Sequence, residues 1–320
     1  MNIEISVKKF PSQFSFKPKI ENSKKLVRAS KILVSGMGGS ALAAEILKCG
    51  RPDLNLSTFK SYDLPQNITK DILVIASSYS GNTAETVSSF EKARKQGNSL
   101  AVITAGGKLL GLAKKYKIPY VRISESEIQP RISLGFNLLA LLKLIGEERE
   151  IKKASKLART LDTAKAEKLG RSIAEKLWDK IPIIYASTNN FAIAYNWKIK
   201  FNETGKIPAF CNVFPELNHN EMTGFDVIKT TRILSHKFHF IFIKDPEDDP
   251  KTQKRMLITK NLYRKRGFLS EIVELQNVTV WHKIFQNLIT ADWAAINAAK
   301  YYGTESTEVP MVEEFKRLIK

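Results

Sequence analysis

The sequence predicts an α/β protein of two domains, each an αβα sandwich on a mainly parallel sheet. Three observations carry that prediction. Short β-branched and aliphatic runs alternate with helical patterns of about 10 to 15 residues, which is the rhythm of βαβ units. The length, 320 residues, exceeds one ordinary domain and suits two. The alternation pauses at a charged, proline-free helical stretch, residues 147–180, and then restarts. The first domain is therefore placed at 1–150 and the second at 151–320.

Taken in order, "KILVSG" (31–36) leads into the helical "SALAAEILK", and "DILVIAS" (71–77) into "AETVSSFEKARKQ". "SLAVITA" (99–105) precedes "KLLGLAKKYK", and "PYVRIS" (119–124) precedes the apolar helix "ISLGFNLLALLKLIG". Runs this apolar suit strands covered on both faces. In the second half "IPIIYAS" (181–187), the helix "FAIAYNWKIKFNE", "AFCNVF" (209–214) and "KFHFIFIK" (237–244) follow one another. A basic helix, "SEIVEL" (270–275) and closing helices complete the chain. Only the strand-helix rhythm recurs between the halves. In sheets of this kind ligands bind beyond the carboxyl ends of the strands.

Composition narrows the function. With 43% hydrophobic and 26% charged residues the chain reads as globular. No apolar run reaches the ~18 residues of a membrane span, and "MNIEISVKKF" lacks a signal-peptide core. Cys49 and Cys211 form neither a spaced metal set nor a disulfide framework, so a cytoplasmic protein without metal or cofactor is expected. The net charge of +19 is spread over helices and lacks any nucleic-acid-binding signature. It fits solvated helix faces best, with a positive field that steers small phosphates and a polyanion site as the lesser readings.

Two loops suit such a phosphate. In "VSGMGGSAL" Gly36, Gly38 and Gly39 precede Ser40 and a helix. Glycines allow close backbone approach, and a helix N-terminus favours an anion. Strand-to-helix packing would use the same glycines. The dinucleotide pattern G-x-G-x-x-G is absent, since Ala41 stands at its last position, and Lys60 rather than an acid closes the second strand. The other loop, "SSYSGNT" (77–83), carries Ser78, Ser80 and Thr83 around Gly81. Capping the next helix needs one hydroxyl, whereas a phosphate uses several together with an amide nest. Two such loops after neighbouring strands favour a small phosphate ester.

"SYSGNTAET" with "GMGGSA" resembles the SIS (sugar isomerase) fold, a flavodoxin-like domain that binds phosphosugars through a serine- and threonine-rich loop. With "RISLGFNLL", "KFNETGK" and "FPELNHNEMTGF" in order, the chain resembles the bifunctional phosphoglucose/phosphomannose isomerases over about 300 residues. The resemblance implies two SIS-type domains. It also implies aldose-ketose isomerisation of glucose 6-phosphate, and of mannose 6-phosphate, to fructose 6-phosphate through an enediol(ate). Substrate binding falls to Gly39, Ser40, Ser78, Ser80, Thr83 and Arg131.

That chemistry needs a base at the carbon acid, a cation near the developing oxyanion and an acid to open the ring. The resemblance makes Glu203 the base, at a helix end closed by Gly205. It makes His219, in "ELNHNE", the ring-opening acid, supplied across a homodimer. Glu216 is the rival carboxylate in that loop. By sequence alone Glu203 reads as a solvated helix-end glutamate and His219 as an ordinary loop histidine. Arg131 stands at the start of the apolar helix, where its charge opposes the helix dipole, and the resemblance turns it toward the enediolate. One departure concerns a C-terminal lysine of the family: Asn297 stands at its position, with Lys300 one turn on. Thr290 aligns with a residue that bears on acceptance of both C2 epimers. A non-catalytic phosphosugar sensor and an amidotransferase module are the competing readings; neither nucleic acid nor membrane is an expected partner.

Overall fold

The computed structural model describes residues 2–66, 68–123, 128–276 and 278–319. The chain divides into two compact units, Lys8–Leu161 and Asp162–Lys320, with Asn2–Val7 grouped with the second. Those first residues form α1 (Ile3–Lys8), which the sequence pattern did not indicate.

The first unit holds β1 (Ile20–Glu21), β2 (Lys31–Ser35), β3 (Asn55–Phe59), β4 (Ile72–Ser77), β5 (Ser99–Thr104) and β6 (Tyr120–Arg122). Ser124, the last residue of the strand expected at 119–124, lies outside the described residues. The sheet order is β1-β6-β5-β4-β2-β3, parallel throughout except for β1, a two-residue antiparallel edge. Without that edge it is the flavodoxin-like order, whose topological switch lies between β2 and β4. Each of these two strands has only one residue outside the buried class, as expected between two helical layers.

The covering helices are α2 (Gly38–Gly50), α3 (Ala84–Gln96), α4 (Gly107–Lys115) and α5 (Leu134–Ile145). In α3 the buried Thr86, Val87, Ser89, Phe90 and Ala93 share one face, while Lys92 and Lys95 face out. Gly97 stops this helix in the left-handed region at φ +73°. α5 is apolar nearly all round and is buried accordingly. The charged stretch 147–180 breaks into α6 (Glu148–Ser155), α7 (Leu157–Thr160) and α8 (Thr163–Lys176). The first two belong to the first unit and the third to the second. Asp162 caps α8, its carboxylate accepting from the Lys165 N–H at 2.8 Å.

The second unit contains β7 (Ile181–Ser187), α9 (Phe191–Glu203), β8 (Phe210–Phe214), α10 (Arg232–Ser235), β9 (Phe238–Lys244), α11 (Pro250–Lys265), β10 (Leu269–Glu274), α12 (Val280–Tyr301) and α13 (Pro310–Leu318). Its sheet runs β10-β9-β7-β8, all parallel, with the switch between β7 and β9. An aromatic cluster of Tyr185, Phe225, Phe240, Tyr263 and Phe268 fills the core on one side. On the other, α12 packs against α8 and α9. At Gly170 of α8 a Cβ would lie 2.6 Å from that of Trp293, so only glycine permits this helix approach. Among the described residues no helix is long and apolar enough to cross a membrane.

Candidate functional site

In the first unit, four segments meet at the carboxyl end of the sheet beside the switch point. A Cβ on Gly36 would sit 2.7 Å from the Ser77 carbonyl oxygen, so the β2 and β4 loops touch through backbone. One on Gly39 would sit 2.7 Å from the Pro130 carbonyl oxygen and 3.4 Å from the Arg131 Cα. Gly39 is thus required by close approach, and the Arg131 turn abuts the N-terminus of α2. Gly81 adopts φ +70°, and its Cβ would fall 1.8 Å from the Gly106 carbonyl oxygen. Gly107, at φ +67°, would likewise strike the Ser80 carbonyl oxygen at 2.3 Å. The loop after β5, residues 104–107, therefore completes the cradle. Sequence reasoning passed over it; its signal was the glycine pair Gly106–Gly107 directly after a strand.

The hydroxyls expected to bind substrate gather here. Ser40 is buried, and its Oγ accepts from the Tyr79 N–H at 3.2 Å, linking the two loops. The Ser78 Oγ accepts from the Gly81 N–H at 3.1 Å and pairs with Thr83 Oγ1 at 2.8 Å. Exposed Ser80 accepts from the Asn82 N–H at 3.2 Å. In the Ser40 and Ser80 bonds the hydroxyl oxygen accepts, so its proton can be directed at an anion. Thr83 is the N-cap residue of α3, yet its side chain makes no cap hydrogen bond and turns to Ser78 instead. Capping does not account for that hydroxyl.

Arg131 lies not in the first turn of α5, as the sequence suggested, but in a 3₁₀ turn, Pro130–Ile132, ahead of it. Its charge is therefore not set against the α5 dipole; instead the residue is buried, only 5% exposed. Buried Gln13 braces the turn, its Nε2 donating to the Ile132 carbonyl at 2.8 Å and its Oε1 accepting from the Gly135 N–H at 3.0 Å. The backbone that carries Arg131 is fixed in this way, and an arginine side chain keeps its positive charge.

In the second unit Glu203 is the last residue of α9 and is half-buried. Trp197 and Phe201 are fully buried core residues. The Glu203 carbonyl accepts from the Lys206 ammonium at 2.6 Å, and the same ammonium donates to the Glu308 carbonyl. His219 ends a 3₁₀ turn, Glu216–His219, after β8 and is exposed. Glu216 is exposed too and accepts from the Asn220 amide at 2.8 Å. Glu221, two residues beyond His219, accepts from the Tyr185 hydroxyl at 2.5 Å and from the Asn212 amide. Burial, more than the nearby carboxylate, holds the Tyr185 phenol protonated far above its usual range.

Asn297 is buried, its amide donating back to the Trp293 carbonyl at 2.8 Å, whereas Lys300 is exposed and paired with Glu4 at 2.9 Å. Thr290 bonds the Gln286 carbonyl at 3.0 Å. Sequence reasoning also missed the buried Lys200–Asp292 pair, 2.6 Å apart. A lysine in a helical run otherwise reads as a solvated face.

The switch point of the second unit has the opposite character. Asp248 Oδ1 accepts from Ser187 Oγ at 2.6 Å, and Asp245 Oδ2 accepts from the Lys283 ammonium at 2.8 Å. Burial pushes the Asp248 carboxyl up, partly countered by the Ser187 hydroxyl bond. Carboxylates there do not welcome a phosphate, so the anion-suited cradle is the one in the first unit.

The family profile described as bacterial phospho-glucose isomerase C-terminal SIS domain matches residues 166–319. A bifunctional phosphoglucose/phosphomannose isomerase of Aquifex aeolicus (strain VF5) is 31% identical over 320 residues, covering 98% of this chain and 97% of that protein. One of the same description from Caldicellulosiruptor bescii is 32% identical, covering 89% of this chain and 88% of that protein. Among solved structures, tagatose-6-phosphate ketose/aldose isomerase from Escherichia coli superposes with a TM-score of 0.68 at 16% identity, covering 95% of this chain and 94% of that one. That likeness shows the fold alone.

Proposed function

The chain belongs to the bifunctional phosphoglucose/phosphomannose isomerase family, and from that premise we propose that it interconverts glucose 6-phosphate, and mannose 6-phosphate, with fructose 6-phosphate. The observation that carries the reading is the cradle at the first unit's switch point, where Ser40, Ser78, Ser80 and Thr83 gather beside buried Arg131. Hydroxyl and amide donors around a helix start suit a dianionic phosphate ester. Glu203 takes the proton between C1 and C2, and His219 donates to the ring oxygen. The rigid closed end of α9 supports the first role, because a base has to be held to a fraction of an ångström. The sensor reading would need the cradle but neither Glu203 nor His219. A coupled assay for fructose 6-phosphate formation from each aldose tests the proposal, and absence of turnover on both would leave a binding protein.

The phosphate role makes a specific demand. Ser78→Ala/Thr83→Ala should raise KM at least tenfold with kcat little changed, since each bond to a charged group contributes about 1.5 kcal/mol or more. Unchanged affinity for a sugar phosphate would remove these hydroxyls from the site.

The functional form is a homodimer in which the partner supplies His219. Exposure of His219 in the single chain supports this, as does α13, whose Met311, Phe315 and Leu318 are 81%, 60% and 79% exposed. A short helix with its apolar face in water is marginal unless a surface covers it. Mixing Glu203→Gln and His219→Ala subunits should restore activity, because one site of each heterodimer then has both groups. No recovery after verified subunit exchange would place both groups in one chain.

A further inference from the structure

We infer that the buried ion pair between Lys200 and Asp292 is a positioning pair, which fixes the last turn of α9 and thereby the carboxylate of Glu203. The inference rests on the reading of Glu203 as the base. Lys200 Nζ stands 2.6 Å from Asp292 Oδ1, with the two side chains 1% and 2% exposed. A pair so buried is a poor stabiliser. Removing both charges from water costs about what their attraction returns, and well-packed apolar replacements are often as stable or more so. What the ion pair adds is a directional contact that marks one rotation and one height of α9 against α12, the use of buried charges best attested.

The surrounding geometry acts on the same turn. The Lys200 carbonyl accepts from both N–H groups that close the helix, Thr204 at 2.9 Å and Gly205 at 3.0 Å. Lys200 is thus tied to α12 by its side chain and to the helix end by its backbone, with Glu203 between. Gly205 presses the following turn toward α12: a Cβ there would meet the Phe201 carbonyl oxygen at 2.8 Å and that of Ala295 at 3.4 Å. Ala295 is one turn beyond Asp292. Asn196, Lys200 and Glu203 fall at i, i+4 and i+7, one stripe of the helix. Asn196 is fully buried, and neither of its amide atoms has a hydrogen-bond partner among the described residues. The stripe that leads to Glu203 is therefore polar along its length, although Trp197 and Phe201 beside it are core. Polar groups kept inside without a stability return point to placement as their use.

The test is the double variant Lys200→Met/Asp292→Leu, in which no charge is left unpaired. Its melting temperature should stay at or above the wild-type value and its KM for the sugar phosphate within twofold. Its kcat for exchange of the substrate C2 proton should fall about tenfold or more, since an error near 1 Å in a reacting group can cost ~100-fold. A purely structural pair would move the melting temperature and leave kcat of the folded protein alone; that result overturns the inference. If the double variant does not fold, Asp292→Asn, which keeps the size of the side chain and an oxygen facing Lys200, is read in its place. A fall in kcat at constant KM is again expected, and wild-type kcat again overturns it. Glu203→Gln is run alongside. If it abolishes exchange while the pair variants keep it, the positioning role alone fails. If Glu203→Gln itself exchanges normally, the base assignment falls and this inference with it.

Discussion

Glu203→Gln is expected to lower isomerisation by ~10²–10⁴, the range lost with a general base. Glutamine keeps the shape and most of the hydrogen bonding of the side chain but cannot accept the C2 proton. The backbone there is held without the carboxylate, because Lys206 bonds the Glu203 carbonyl, so the substitution should leave the turn in place. KM should move little, since phosphate affinity comes from the first unit's hydroxyls. The informative measurement is exchange of the C2 proton with solvent deuterium, which follows proton transfer independently of ring opening. Glu216→Gln is the control: Glu216 is exposed, engaged by Asn220, and the rival carboxylate in the His219 loop. Wild-type exchange in Glu203→Gln together with its loss in Glu216→Gln would move the base into that loop.

Much of the architecture was readable from pattern because the central strands β2, β4, β5 and β7 are apolar along most of their length, and the loops after β2, β4 and β7 begin with glycine or a hydroxyl residue. The runs 181–187, 191–203 and 84–96 coincide residue for residue with β7, α9 and α3. Their boundaries are marked chemically: Thr83 at the start of α3, Gly97 at its end, Gly205 just after α9. What pattern did not show is short or non-local. β1 has two residues, too few for any period to register, and exists through pairing with β6. All of α1 but Lys8 belongs to the second unit although it precedes the first in the chain. The site divides in the same way. Hydroxyl clustering after two strands marked the cradle, whereas the 104–107 loop joined it through contacts between backbones far apart in sequence. Roles for Glu203 and His219 came only through resemblance, because an exposed loop histidine and a helix-end glutamate have no local signature. Lys200 is the sharpest case. Its identity says surface, and its buried partner, Asp292 on α12, stands 92 residues later in the chain.

The two units share one winding but not one chemistry. Both sheets reverse direction of growth beside their first long strand, β2 in one and β7 in the other, and so both offer a crevice at that point. The first lines its crevice with glycines and hydroxyls; the second fills it with Asp245 and Asp248 tied to Ser187 and Lys283. This is why a single phosphate per chain is expected from a duplicated design. In the second unit the groups assigned to chemistry are displaced to the end of α9 and the loop after β8.

Gly81→Ala should raise KM on the order of 100-fold, the largest change any single methyl group in this chain is expected to cause to binding. Two penalties act together. The residue sits at φ +70°, where a side chain costs ~1–2 kcal/mol, and the new methyl would lie 1.8 Å from the Gly106 carbonyl oxygen. No rotamer relieves that overlap, because both partners are backbone, so one loop has to withdraw. Withdrawal breaks the Gly81 N–H bond to Ser78 Oγ and shifts the hydroxyls of Ser78, Ser80 and Thr83 together. At about 1.4 kcal/mol per tenfold, losing two charge-assisted bonds accounts for the expected factor. Gly97→Ala separates the two penalties. It has nearly the same backbone angle, φ +73°, but nothing within 4 Å of the added methyl. That variant should melt at a lower temperature yet bind sugar phosphate as the wild type does. Calorimetric titration of both with glucose 6-phosphate decides the matter. If Gly81→Ala binds as tightly as Gly97→Ala, the loop is not the phosphate cradle, and the serines that open it belong to the fold alone.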